Sequence, residues 1–207
     1  MIATTDVSGV RVLALRRPPD NALSMALLAE LTAAFSAAAA DASVKGLVLA
    51  SENPKVFSAG LDLAELSAAA DLGTGPFRSL IAAHRALAAF PKPTVAAVDG
   101  MAILGGWILA MACDSRLFSE GAKVTLSEVR LWLSPTEALV RTLQSLTTDH
   151  RVARAMVLRG RPVDAAEAVA AGLADAVCPS AALRGEAVKE ARSLARVPSD
   201  AYAAVKR

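Results

Sequence analysis

The stretch Gly100–Glu128, GMAILGGWILAMACDSRLFSEGAKVTLSE, decides how the rest of the chain is interpreted. It joins a diglycine, Gly105-Gly106, at the start of an apolar segment to Glu128, which precedes the mostly apolar run 129–133. Glycines let a ligand approach backbone N–H groups closely, and a helix beginning there points its positive end at that ligand. A carboxylate in apolar surroundings is more basic than usual. Together these features suit the movement of a proton next to a carbonyl.

The composition limits the class of protein. The 207 residues are 54% hydrophobic with few aromatics, which suits one helix-rich globular domain with a large core. The net charge is +2, with acids and bases mixed along the chain. No basic block, RNA-binding motif or zinc-finger motif occurs, so we expect no nucleic-acid partner.

The sequence predicts neither a membrane span nor a signal peptide. The longest uncharged apolar stretch, 100–113, is shorter than the roughly 20 residues that cross a bilayer. Asp6 interrupts the start of the chain, and no long apolar run follows it. We therefore expect a cytoplasmic protein with no membrane partner.

Cysteines and histidines show no motif spacing. Cys113 and Cys178 lie among apolar residues, so buried reduced thiols are expected. His84 and His150 have no second ligand at metal spacing, so we expect no metal site.

Strand and helix signals alternate along the chain, which favours an α/β class. The segment 53–60 is predicted to be a loop. Strands are predicted over 10–15, 46–49, 94–98, 115–118, 123–126 and 173–177. Helices are predicted over 25–40 with Ser24 as the N-cap, and over 62–70, 77–90, 106–112, 135–146, 149–158 and 164–171, and two more close the chain.

A second segment, Lys55–Leu66, KVFSAGLDLAEL, predicts a loop ending in Ser-Ala-Gly and then a helix. In their order and spacing, the two segments resemble the enoyl-CoA hydratase/isomerase family, also called the crotonase superfamily. Within it the chain is most similar to the Δ3,Δ2-enoyl-CoA isomerases. The resemblance runs from about Val10 to the end of the chain.

The resemblance implies an α/β fold built as a spiral of ββα units and assembled as a homo-trimer or hexamer. It implies an acyl-CoA thioester substrate in fatty acid β-oxidation, and no cofactor, because coenzyme A is part of the substrate. Relatives normally continue through further helices. The resemblance therefore implies a crotonase-like core over 1–195 and a shortened C-terminal helical region that starts at 196–207.

The resemblance also assigns the chemistry. The oxyanion donors would be the backbone N–H groups of Leu61 and Gly105, and Glu128 would take a proton from C2 and return it to C4. Hydratases of this family carry another glutamate where this chain has Ile108. Isoleucine cannot orient a water molecule, so the chain is expected to isomerise rather than hydrate.

Further residues are candidates for substrate contact. Trp132 stands where the family usually has glycine, and its indole would narrow the acyl site, fill space left by the shortened C-terminus, or simply pack. Lys55 and Arg17 are candidate phosphate contacts, and Glu137 is a candidate accessory carboxylate. Substrate contacts are expected from Phe57, Ser58, Ala59, Gly60, Asp62, Gly106, Ile108 and Trp132.

Two other functions stay open at this point. One is a different enolate reaction on a CoA thioester, such as weak hydration. The other is a catalytically silent acyl-CoA-binding or assembly protein, which the short C-terminus and Trp132 favour.

Overall fold

A computed structural model describes residues 1–69 and 75–206. Its strands are β1 (Ile2–Val7), β2 (Val10–Leu15), β3 (Gly46–Ser51), β4 (Val56–Ser58), β5 (Thr94–Val98), β6 (Met101–Ile103), β7 (Ser115–Ser119), β8 (Lys123–Thr125), β9 (Val163–Asp164) and β10 (Ala176–Cys178). Its helices are α1 (Met25–Ala40), α2 (Leu63–Ala68), α3 (Pro76–Ala88), α4 (Gly105–Met111), α5 (Glu137–Leu146), α6 (His150–Arg159), α7 (Ala165–Ala170), α8 (Ser180–Leu194) and α9 (Ser199–Lys206), and a short 3₁₀ helix, η1, covers Glu128–Leu131.

The larger sheet has the order β1-β2-β3-β5-β7-β10, parallel throughout except for the antiparallel β1. Its central strands are continuous apolar runs, as expected for parallel strands that are covered on both faces. Alternate residues supply the two faces: Val10, Val12 and Ala14 pack with α8, whereas Leu13 and Leu15 join the main core. Helices α1, α3 and α4 contribute to that main core.

The smaller sheet, in the order β4-β6-β8-β9, positions the candidate site. Strands β4, β6 and β8 are parallel, and β9 pairs with β8 in the antiparallel sense. Parallel strands release their chains at the same edge, so the loops after these three strands meet.

The α/β class and most predicted elements are confirmed. Ser24 caps α1 by accepting from the Leu27 N–H, as predicted. The prediction missed β1, β6 and β9 and placed a loop over β4. The predicted strand 173–177 is observed as β10, which begins only at Ala176. Of the predicted helix 62–70, the structure describes residues 62–69, in which α2 covers Leu63–Ala68. The division into 1–195 and 196–207 stays a prediction.

The two cysteines differ in burial. Cys113 is buried, and burial raises the pKa of its thiol to about 12. Cys178 is only partly buried because β10 forms the edge of the larger sheet, so the expectation of a buried thiol is wrong there. Within residues 1–69 and 75–206, no helix is both long enough and apolar enough to cross a bilayer.

Candidate active site

The three residues predicted to carry the chemistry follow three neighbouring parallel strands. Leu61 lies three residues after β4, Gly105 two residues after β6, and Glu128 three residues after β8. Adjacent strands are about 4.8 Å apart, so the loops after β4 and β8 are roughly 10 Å apart. Ligands of α/β proteins bind outside the carboxyl ends of strands, and this edge is such a place.

A parallel bridge between Leu23 and Leu61 orients the Leu61 amide. The Leu23 N–H donates to the Gly60 carbonyl at 2.7 Å, and the Leu23 carbonyl accepts from the Asp62 N–H at 3.2 Å. In this pattern Leu23 uses both of its backbone groups, and Leu61 turns its own N–H to the opposite side. The Leu61 N–H donates to no acceptor among the described residues.

The Gly105 amide lies close to the same place. A Cβ on Gly105 would be 3.4 Å from the Leu61 nitrogen, and a Cβ on Gly60 would be 3.2 Å from the Gly105 nitrogen. The Gly105 N–H opens α4 and, like that of Leu61, has no acceptor among the described residues. The structure thus brings two unpaired backbone donors together.

Gly60 and Gly106 allow this close approach. Gly60 has φ +92°, and a Cβ there would meet the Ile103 carbonyl oxygen at 2.9 Å. A Cβ on Gly106 would meet the Ser58 carbonyl oxygen at 2.6 Å. Both positions therefore require glycine for packing, and Gly60 requires it for its backbone conformation as well.

Glu128 is almost buried, with 9% of its surface exposed, and its Oε2 atom has no hydrogen-bond partner among the residues that the structure describes. Burial raises the pKa of this carboxyl above its usual value. Its short helix is supported from behind, because Thr125 Oγ1 donates to the Gly160 carbonyl at 3.2 Å and Gly160 packs against Ser127. A buried carboxylate with a raised pKa and one oxygen left free is a candidate acid or base.

Ile108 is buried in the first turns of α4. It lies three residues after Gly105, so both residues share one face of the helix, and its side chain leans toward the helix start. The position nearest to the Gly105 donor on this face is therefore apolar.

The candidate substrate-binding loop places its side chains inward. Phe57 and Ser58 are fully buried, and Ser58 Oγ donates to the Asn21 carbonyl at 2.8 Å. Contact of Phe57 or Ser58 with a ligand would therefore have to come from backbone atoms. Ala59 is partly exposed, and its N–H donates to the Asp20 carbonyl.

Arg17 and Lys55 differ in their availability as phosphate contacts. Arg17 donates to Asp62 Oδ2 at 2.6 Å and to the Ala22 carbonyl at 3.0 Å, so it is already engaged within the protein. Lys55 is exposed and forms no ion pair within the described part of the chain. Asp62 caps α2 through the Ala64 and Glu65 N–H groups, and the hydrogen bonds from the Glu65 N–H and then from Arg17 lower its pKa.

Trp132 is 97% exposed and has φ 59°, because it ends η1 in the left-handed conformation. The expectation that its indole packs or fills space is therefore wrong for this chain on its own. With the exposed Val129 and Leu131 it forms an apolar patch on the turn that carries Glu128.

The remaining candidates have structural surroundings. Glu137 is exposed and pairs with Arg141 on α5, which does not favour an accessory catalytic role. Asp114 anchors local structure, accepting from the Thr94 N–H and from Lys206. His84 is partly buried on α3, and burial lowers its pKa.

Sequence reasoning missed two residues beside the site. Asn21 is buried with φ 54°, and its amide donates to Ser51 Oγ and to the Phe57 carbonyl, which ties the loop before Leu61 to β3. Leu104 precedes Gly105 with φ 48°, a conformation that is unfavourable for leucine. The left-handed preference of Asn in the Pro-Pro-Asp-Asn turn was the available signal for Asn21.

Comparisons with known proteins agree with this arrangement. The family model described as "Enoyl-CoA hydratase/isomerase" matches residues 5–207. The mitochondrial methylglutaconyl-CoA hydratase of Homo sapiens is 35% identical over 194 residues, which are 91% of this chain and 56% of the relative. The mitochondrial enoyl-CoA delta isomerase 1 of Homo sapiens is 29% identical over 94% of this chain and 65% of the relative. The chain thus spans between half and two thirds of the length of these relatives.

Solved structures give the same result for the fold. The structure of Pseudomonas aeruginosa DspI superposes with a TM-score of 0.90 and 28% identity, covering 99% of this chain and 84% of that one. The expected crotonase-like α/β fold is confirmed by this similarity. With the family match across nearly the whole length, the chain belongs to the enoyl-CoA hydratase/isomerase family.

Proposed function

We propose that this protein isomerises 3-enoyl-CoA to 2-trans-enoyl-CoA. The observation that carries the proposal is the placement, after three adjacent parallel strands, of two N–H donors without an acceptor among the described residues and of one buried carboxylate. The donors are those of Leu61 and Gly105, and the carboxylate is Glu128.

In the proposed reaction, the thioester oxygen accepts hydrogen bonds from both N–H groups. Glu128 removes a proton from C2, and the C–H electrons form an enolate whose charge collects on that oxygen. The same carboxyl then returns the proton to C4, and the double bond lies between C2 and C3. One well-aimed donor is typically worth about 3 kcal/mol to such a transition state.

The surroundings of Glu128 support its role as the base. Burial raises its pKa, and a carboxylate with a raised pKa is a stronger base toward a weakly acidic C–H bond. Within residues 1–69 and 75–206, Oε2 has no hydrogen bond to give up before it accepts the proton.

Ile108 supports isomerisation over hydration. Hydration needs a second group that holds the attacking water, and the buried isoleucine beside Gly105 cannot do so. Weak hydration remains the second candidate, because the human hydratase shares 35% identity with this chain over 194 residues.

The assembly is also a proposal. The patch of Val129, Leu131 and Trp132 exposes apolar surface on the turn that carries Glu128. Exposed patches of this kind usually mark an interface, and closed symmetry is the usual outcome. We propose a homo-trimer or hexamer that takes an acyl-CoA thioester and needs no cofactor beyond it.

The test is incubation with 3-enoyl-CoA, following the absorbance of the conjugated thioester. The same preparation is given 2-trans-enoyl-CoA in water to measure hydration. Isomerisation that exceeds hydration supports the proposal. Binding of the acyl-CoA without either reaction would instead favour a silent binding protein.

A further inference from the structure

The Arg17 side chain connects two segments that lie 5 and 45 residues away from it in sequence. One guanidinium nitrogen donates to the Ala22 carbonyl at 3.0 Å, and the other donates to Asp62 Oδ2 at 2.6 Å. The pair is shielded from water, since 28% of the Arg17 side chain and 16% of the Asp62 side chain are exposed. A partly buried, charge-assisted contact of this kind restrains both partners.

These two partners flank the bridge that orients the Leu61 amide. Ala22 directly precedes Leu23, and Asp62 directly follows Leu61. The bridge itself consists of the bonds from the Leu23 N–H to Gly60 and from the Asp62 N–H to Leu23. Arg17 therefore spans both sides of the bridge.

We infer that Arg17 is a positioning residue that acts through Asp62 to aim the Leu61 N–H at the substrate oxygen. The inference deepens the proposed function and rests on it. Arg17 contacts the residues that flank the bridge and need not touch the reacting atoms. Its effect is to keep the Leu23–Leu61 pairing from loosening.

The two carboxylate oxygens of Asp62 accept hydrogen bonds from different partners. Oδ1 accepts from the N–H groups of Ala64 and Glu65 and starts α2, whereas Oδ2 accepts from Arg17. The carboxylate is thus held between the helix start and the guanidinium. Because Asp62 is restrained on both sides, its own backbone N–H stays paired with Leu23.

Arginine is required here for its shape. Its fork can reach the Ala22 carbonyl and the Asp62 carboxylate at once, whereas lysine is a single point charge. Arg17→Lys should keep one of the two contacts, and Arg17→Gln should lose the ion pair with Asp62. The order of activity expected is therefore wild type, then Arg17→Lys, then Arg17→Gln.

The kinetic test compares kcat and KM for the 3-enoyl-CoA reaction. Complete loss of one oxyanion donor costs about 10²–10³ in kcat, so a misaimed donor in Arg17→Gln should lower kcat by about 10–100-fold. KM should stay near that of wild type, because the donor acts most strongly in the transition state. A raised KM with unchanged kcat would overturn the inference and assign Arg17 to phosphate binding.

A matched control measures the effect of losing a comparably shielded ion pair elsewhere in the protein. Arg11 lies on β2, away from the site. Its side chain is 16% exposed and binds both Asp6 and Asp41. Arg11→Gln should lower stability and leave kcat as in wild type. Equal loss of kcat in Arg11→Gln and Arg17→Gln would show a general structural effect and overturn the positioning role.

Two further readouts separate failure of this inference from failure of the proposed function. Hydrogen exchange of the Leu23 and Asp62 amides needs no turnover, and it should speed up in Arg17→Gln but not in Arg11→Gln. The infrared carbonyl band of bound butyryl-CoA, labelled with ¹³C at the thioester, should shift less in Arg17→Gln than in wild type. No carbonyl shift in wild type would contradict the proposed oxyanion site. Unchanged amide exchange in Arg17→Gln would overturn the positioning role whatever the protein catalyses.

Discussion

Gly60→Ala should damage the candidate oxyanion site directly. Gly60 has φ +92°, which costs an L-residue about 1–2 kcal/mol. The added Cβ would lie 2.9 Å from the Ile103 carbonyl oxygen and 3.2 Å from the Gly105 nitrogen. Both neighbours are backbone atoms, so the loop after β4 must move away from the loop after β6.

The structure sets the expected size of the effect. Overpacking of this kind costs roughly 1–3 kcal/mol, so with the conformational strain the free energy of unfolding should fall by roughly 2–5 kcal/mol. The separation also moves the Leu61 and Gly105 donors apart. Loss of one oxyanion donor lowers kcat by about 10²–10³-fold, and we expect a loss of about 10²-fold here.

The assay combines urea unfolding with isomerase kinetics at a temperature where the variant is folded. Gly121→Ala is the control, because a Cβ on Gly121 meets nothing within 4 Å and its φ is ordinary. That control should match wild type in both measurements. Gly60→Ala with kcat within a few-fold of wild type would refute the proposed pairing of donors.

Three further predictions follow from the site. Glu128→Gln should raise the free energy of unfolding at neutral pH, because the raised pKa of Glu128 means that the folded state disfavours the carboxylate. Thermal unfolding across pH should show no gain in stability below the ordinary glutamate pKa. The gain should grow as the pH rises through that value and level off above the folded-state pKa. Hydration of 2-trans-enoyl-CoA should be slower than isomerisation because Ile108 holds no water, and a hydration rate equal to or above the isomerisation rate in the same preparation would contradict this. Light scattering should show a trimer or hexamer that Trp132→Ser weakens, whereas a monodisperse wild-type monomer at micromolar concentration would contradict the proposed assembly.

Local signals in the sequence predicted much of the fold. Ser24 before an alanine-rich segment marks the start of α1, and the apolar run 95–98 marks a buried strand. These features depend on neighbouring residues, which is why they can be recognised without the structure. The two glycine motifs and Glu128 were recognised by resemblance, and the structure brings them to one sheet edge.

The misses depend on contacts between distant parts of the chain. Strands β4 and β6 are three residues each, too short to show alternation, and they form by pairing within the smaller sheet, β4 with β6 and β6 with β8. The engagement of Arg17 with Asp62 joins residues 45 positions apart, so sequence alone left Arg17 as a phosphate candidate. The exposure of Trp132 follows from the left-handed end of η1, which no composition rule predicts for tryptophan.

The most direct test of Glu128 as the proton-transferring residue is isomerisation of 3-enoyl-CoA by wild type and by Glu128→Gln. The amide keeps the shape of the carboxylate but cannot accept the C2 proton, and its smaller desolvation cost leaves the fold intact. We predict conjugated thioester formation by wild type and none above background by a folded Glu128→Gln. Activity of that variant within a few-fold of wild type would contradict the proposed proton transfer and remove Glu128 from the mechanism.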